Sequence, residues 1–155
     1  ATHSYGAEEV QNVILTLYGD PSRAAEANAW LMEYQNSNAA WELSAALMDS
    51  PHSAVRFFAA NTLHQKLRTG ATDLPEEAQA SLLGTVLGLL GRPENQSHQM
   101  HTKLGLSLVQ LGLVFTGTPG RFRAAILDHP GFLALPLPAA LEFCLLLPQE
   151  WDNPG

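Results

Sequence analysis

The 155-residue chain has one cysteine, Cys144, so no internal disulfide and no cysteine-rich zinc site can form within it. Basic residues are also scarce, eight against fifteen acids, and the net charge of −7 argues against general nucleic-acid binding. Long apolar runs are missing. Stretches such as Leu145–Pro148 fall far short of a membrane span, and no basic segment followed by an apolar one marks a signal peptide at the start. No strand alternation and no Asn-Gly or Asp-Gly hairpin signal occurs. Catalytic signatures are absent too. No serine sits in a G-x-S-x-G context, and "GTPG" at 117–120 lacks the Lys-Ser/Thr pair of a phosphate loop, so it reads as a turn. No enzyme activity and no cofactor are expected.

What is present is apolar residue, 46% of the chain, enough for one folded domain with a core. Charge is unevenly spread: residues 1–50 hold seven acids and one base, whereas 51–70 hold Arg56, Lys66 and Arg68 without an acid. The chain begins without Met and stops just after "DNPG", which reads as a fragment.

Gly and Pro clusters cut the sequence into segments whose apolar residues recur at helical spacing. Helices are expected over Glu8–Tyr18 (Val10, Val13, Ile14 and Leu17 inward) and from "GDPS" to Gln35 (Ala27, Trp30, Leu31 and Tyr34). A third follows an Asn38 cap, with Trp41, Leu43, Ala46 and Leu47 inward. The fourth, "AVRFFAANTLHQKLRTG", buries Val55, Phe58, Ala59, Thr62, Leu63 and Leu67, with Gly70 at its C-cap and Lys66 and Arg68 in the last turn, where the helix dipole favours cations. A fifth begins at Pro75 and carries Leu82, Leu83, Val86, Leu87 and Leu90; Glu76 and Glu77 complement its N-terminus. A sixth spans about Ser97–Phe115 (Leu104, Leu108, Leu111 and Val114). After "TGTPG" come a short helix near Arg121–Leu127, a Pro-rich bend, and a last helix from about Pro138 to Leu147 that Pro148 ends. Short connectors make successive helices antiparallel, and odd helices start near 8, 38, 75 and 120, a period at or below that of HEAT and armadillo repeats. A non-repetitive helical bundle is the alternative on pattern alone.

The segment "AAEANAWLMEYQNSNAAWELSAALMDSPHSAVRFFAANTLHQKLRTG", residues 24–70, resembles the N-terminal module of the importin-β (karyopherin) family of nuclear transport receptors. It carries an Ala-rich helix with a bulky pair (Trp30-Leu31), a polar break, a Trp-containing helix (Trp41), then a helix of the form hRFFAAxxLHxKL. The spacing in "WLMEYQNSNAAW" is closest to the branch containing importin 13 and transportin 3. "LPLPAALEFCLLLPQEW", residues 135–151, resembles that branch's fourth-repeat helix, with Gln149 in place of the usual first acid. The resemblance implies an all-α, right-handed α-solenoid of about four HEAT-type antiparallel helix pairs. The importin-β-like module would cover about 24–70 and further repeats about 74–151.

The same resemblance implies function by surface. In that family the second helices of the first repeats line the concave face and bind the GTPase Ran in its GTP form, coupled to cargo loading and release. First helices resemble docking sites for nucleoporin Phe-Gly repeats. The chain would thus shuttle between nucleus and cytoplasm with protein cargo. On the helix 54–68, the second of repeat two, the flank Asn61, His64, Gln65, Lys66 and Arg68 is the Ran-contact candidate; Lys103 with Gln99 and Gln110, on the second helix of repeat three, is a weaker one. The competing readings are a solvated face with dipole complementation and, at the level of function, a HEAT scaffold with no GTPase partner. Three further features read as bland. His98 and His101, three apart, lack a third metal ligand. Trp30, Trp41 and Phe57/Phe58 read as core rather than as a peptide groove, and "NQS" at 95–97 matches a glycosylation pattern incidentally.

Overall fold

A computed structural model describes residues 5–70, 73–113 and 126–152, and among these every regular element is helical, as the all-α, helix-pair reading of the sequence expects. The end of the sixth expected helix beyond Leu113, the "TGTPG" break and most of the short helix 121–127 lie outside the described residues, as does the segment after Gly70. The chain divides into two compact units, Ala1–Lys66 and Leu67–Gly155.

In the first unit, α1 (Ala7–Gly19) opens with Glu8 and Glu9 at its positive end and buries Val10 and Ile14. Asp20 closes it and starts the next element. Its carboxylate accepts from the Ser22 hydroxyl (2.6 Å) and the Ser22 amide (3.1 Å), which caps a 3-10 turn, Pro21–Arg23. The Ser22 hydroxyl bond holds the Asp20 carboxyl below its ordinary pKa. The turn reverses the chain, so α2 (Ala24–Gln35) packs against α1 and buries Ala27, Leu31 and Tyr34.

The third expected helix is two pieces, α3 (Ala39–Glu42) and α4 (Ser44–Met48), which is a correction. The Ser44 hydroxyl donates back to the Trp41 carbonyl (3.0 Å), a side-chain bond that competes with the helical ladder at the break. The buried face therefore shifts to Ala40, Ser44, Leu47 and Met48, while Ala46 is exposed and Trp41 and Leu43 are half-buried. Asn38 stands at the cap position but its side chain makes no capping bond. In α5 (Ser53–Gly70) all six expected core residues are buried, joined by Ala60 and His64. Its entry is tied down by Ser50, whose hydroxyl donates to Gln11 Oε1 (2.6 Å) and whose carbonyl accepts from Arg56 Nη1 (2.9 Å).

In the second unit, α6 (Glu76–Gly91) follows Pro75, which stands at the N-cap rather than inside the first turn. Leu83, Val86, Leu87, Leu89 and Leu90 are buried. Its C-terminal carbonyls are taken by side chains of the "GRPENQ" break. Asn95 Nδ2 donates to the Leu89 carbonyl (3.0 Å), and Gln96 Nε2 to those of Leu90 (2.7 Å) and Arg92 (2.8 Å). Asn95 is fully buried with its amide nitrogen engaged, so the "NQS" pattern offers no glycan acceptor in this fold. α7 (His98–Leu113) returns along α6 and buries Met100, Leu104, Leu108 and Leu111.

The expected Pro-rich bend contains one helical turn, α8 (Pro130–Leu133), capped by His129, whose Nδ1 accepts from the Gly131 amide (2.9 Å); α8 lies against α6. The last helix, α9 (Leu137–Asp152), continues past Pro148 instead of ending there. An interior proline removes one ladder bond and disfavours, without forbidding, helical geometry before it. Packing along α7 outweighs that loss. Thr102 meets Glu142 (3.3 Å), and further along both helices Gly105 faces Phe143 and Leu146, so α7 and α9 run parallel, as the corresponding helices of consecutive repeats do. On the solvent side of α9, Leu137, Leu141 and Leu145 are 70%, 52% and 65% exposed, a row at four-residue spacing beside the free thiol of Cys144.

A Cβ on Gly105 would stand 3.0 Å from Leu146 Cδ1. Gly105→Val is expected to lower stability by about 1–3 kcal/mol in urea unfolding, and an unchanged midpoint would contradict the close approach. Tyr34 is 1% exposed and its hydroxyl has no partner among the described residues. Tyr34→Phe is therefore expected to raise stability by about 1 kcal/mol. Burial pushes the Tyr34 phenol up from 10.0 to about 12. The unfolded chain releases that proton first, so the native chain keeps its stability up to about pH 10 and loses some as pH rises towards 12, whereas Tyr34→Phe has no such proton to release. Thermal melts of the two forms should therefore diverge over that window, the native chain falling further below Tyr34→Phe.

Candidate functional site

The polar flank of α5 is not one uniform face. Helical spacing puts Asn61 and Gln65 one turn apart; Gln65 is exposed and Asn61 half-buried. His64 is turned inward and only 8% exposed, which corrects its expected place on an outward flank. The cause is register: His64 lies one residue past Leu63 and four past Ala60, both buried.

Lys66 also departs from expectation. Its ammonium donates to the carbonyls of Ser37 (3.0 Å) and Gln35 (3.2 Å) and lies 5.3 Å from the centre of the Trp41 ring. The Gln35 carbonyl is the last of α2, where partial negative charge gathers, and the Ser37 carbonyl lies in the turn just after it. Gln35 Nε2 adds a bond to Thr62 Oγ1 (2.9 Å), so α5 is fastened to the end of α2 at two levels. Burial lowers the Lys66 pKa, while the carbonyls and the aromatic face favour the charged form. Lys66 thus has a structural task that acid-free composition alone does not reveal.

In the second unit, Arg68 is exposed in the last turn of α5. Gln99 is exposed and Lys103 half-buried, one turn apart on α7. Around them, Thr102 Oγ1 reaches both the His98 carbonyl (3.0 Å) and Glu142 Oε1 (3.3 Å), and His98 Nδ1 lies 3.8 Å from Glu142 Oε2. His101 is buried, with Nε2 2.8 Å from Gln96 Oε1. Because the Gln96 amide nitrogen already donates twice, its oxygen faces His101, and Nε2 of His101 carries the proton. Burial lowers the His101 pKa, Glu142 opposes that and His98 adds to it. Among the described residues no three His, Cys, Asp or Glu side chains converge as metal ligands.

The outward groups are therefore Gln65, Arg68 and Gln99, with Asn61 and Lys103 partly so. They are hydrogen-bond donors on helix surfaces, suited to recognising carbonyls and carboxylates on a protein partner. Of the aromatic residues, Phe58 is core and Phe57 half-buried, but Trp30 lines an open groove that periodicity did not disclose. No described helix is long and apolar enough to cross a membrane.

No protein-family model matches the chain. It is 28% identical over 161 residues to importin-13 of Homo sapiens and of Bos taurus, a match covering 96% of this chain. It is 25% identical over 155 residues, 95% of the chain, to an uncharacterized protein of Schizosaccharomyces pombe. In each case the chain spans 16% of the relative's length. The similarity is of an importin-β-like, HEAT-repeat kind and agrees with the helix-pair order described above.

The Lys66 geometry separates structural from surface roles. Lys66→Met, which strips the ammonium from two carbonyls and a ring, should cost about 1–3 kcal/mol in chemical denaturation, whereas Arg68→Ala should stay within about 0.5 kcal/mol. Equal effects of the two substitutions would contradict this division.

Proposed function

We propose that the chain is a piece of a nuclear transport receptor, in the branch that includes importin 13 and transportin 3, and that it binds Ran in its GTP form. The observation that carries this reading is the 28% identity to importin-13 across 96% of the chain. The contact residues assigned are Gln65 and Arg68 on α5, with Asn61 beside them and Gln99 and Lys103 on α7. Lys66 and His64 serve the α5 contacts indirectly, by fixing that helix on α2 and in its core. The role is non-enzymatic. Nucleoporin Phe-Gly repeats and protein cargo are the other partners in the reading, and the protein shuttles between nucleus and cytoplasm. A net charge of −7 favours encounter with basic partners.

A second reading, a HEAT scaffold without GTPase binding, draws on the inward commitment of Lys66 and His64, which leaves fewer free donors on α5. Capture of purified Ran on the immobilised chain distinguishes the two. The receptor reading expects retention of the GTP-loaded form over the GDP-loaded form, and about tenfold weaker binding by Arg68→Glu with helicity unchanged. Equal capture of both forms, or none by a chain that circular dichroism shows to be folded, supports the scaffold instead.

A further inference from the structure

The first two helices leave an open groove between them. Val10 and Ile14 of α1 point into the core, whereas Val13 and Thr16 turn round the same helix to line a cavity of about 240 Å³. Ala27 and Trp30 of α2 complete its floor. The groove extends along α1 past Asn12 to Glu8 and Glu9. Trp30 is held by two aromatic neighbours, stacked with Tyr34 (6.4 Å between ring centres) and T-shaped to Tyr5 (5.2 Å). An apolar floor held in place in this way has less freedom to lose on binding.

The rim is acidic. Glu8, Glu9 and Glu26 border the groove, and Arg23 is the one Lys or Arg among the described residues that line it. Arg23 lies 3.9 Å from Glu26, with both side chains more than half exposed, so their pairing is weak enough for an incoming cation to replace. This is the most acidic part of the sequence, seven acids to one base over residues 1–50.

From the apolar floor and the charged rim together we infer that the α1–α2 groove docks a basic protein segment that places one bulky apolar side chain over Val13, Ala27 and Trp30 and sets Lys or Arg residues against Glu8, Glu9 and Glu26. Helix grooves of this form take such anchors, and the surrounding charges set partner choice. None of the groove residues belongs to the proposed Ran-contact set, so the inference stands or falls separately from the transport reading.

The test is fluorescence anisotropy at low ionic strength, with a labelled lysine-rich peptide carrying a single central leucine. Saturable binding is expected. It should weaken about tenfold when the peptide leucine becomes alanine, and about fivefold in the Glu8→Gln, Glu26→Gln double variant. The peptide should also shift the tryptophan emission of the native chain, and Trp30→Phe, checked for helicity by circular dichroism, should abolish the shift. Three results would overturn the inference: no saturable binding; equal binding of the leucine and alanine peptides, which is general attraction to an acidic chain; or affinity unchanged in the folded double variant.

Discussion

An α-helix satisfies its own backbone except at its ends, and an amphipathic one cannot hide its apolar stripe alone. Every helix here therefore needs a neighbour and a means of closing its termini within a few residues. The connectors supply that closure: Asp20 at the turn between α1 and α2, Asn95 and Gln96 at the end of α6, and His129 before α8. Lys66 works in the same way from a distance, bringing a positive charge from α5 to the carbonyls at the end of α2. The polar residues that look like loop composition are what let apolar stripes meet.

This explains most of the basic character of α5. Arg56 donates to the Ser50 carbonyl and Lys66 to those of Gln35 and Ser37, so two of its three cations answer backbone carbonyls within the chain. Arg68 is the outward one. A sequence with three bases and no acid in this stretch suggests an attractive field for a partner; the fold directs much of that charge inward. What is left for recognition is a set of neutral and cationic donors, while the acidic groove of α1 and α2 offers the opposite chemistry to a different kind of partner.

The helix class, the α1, α2, α5 and α6 segments and the buried stripe of α5 were legible because a 3.6-residue period and Gly and Pro punctuation agree there, joined in α1, α2 and α6 by acidic first turns. The split of α3 from α4 was not, since it turns on one serine hydroxyl bonding back to a carbonyl. Pro148 misled because a local rule about helix ends was set against packing between α7 and α9, which sequence spacing does not show. The burial of His64 and the reach of Lys66 are tertiary facts. Each depends on which neighbour lies alongside α5, and residue type gave no hint of either. The groove beside Trp30 was hidden for a related reason: an aromatic at helical spacing reads as core, and only the packing of α1 on α2 shows that one of its faces stays open.

The leucine row on α9 has a consequence for how the chain behaves in solution. Leu137, Leu141 and Leu145 hold apolar surface in contact with water along one line of a helix. Salts excluded from protein surfaces strengthen the tendency of such area to be covered, and warming from the cold does the same, because apolar hydration becomes less favourable. Self-association of the isolated chain should thus grow in sulfate or phosphate and on moving from near freezing to room temperature. This is opposite in sign to contacts made by its charges, which added salt screens.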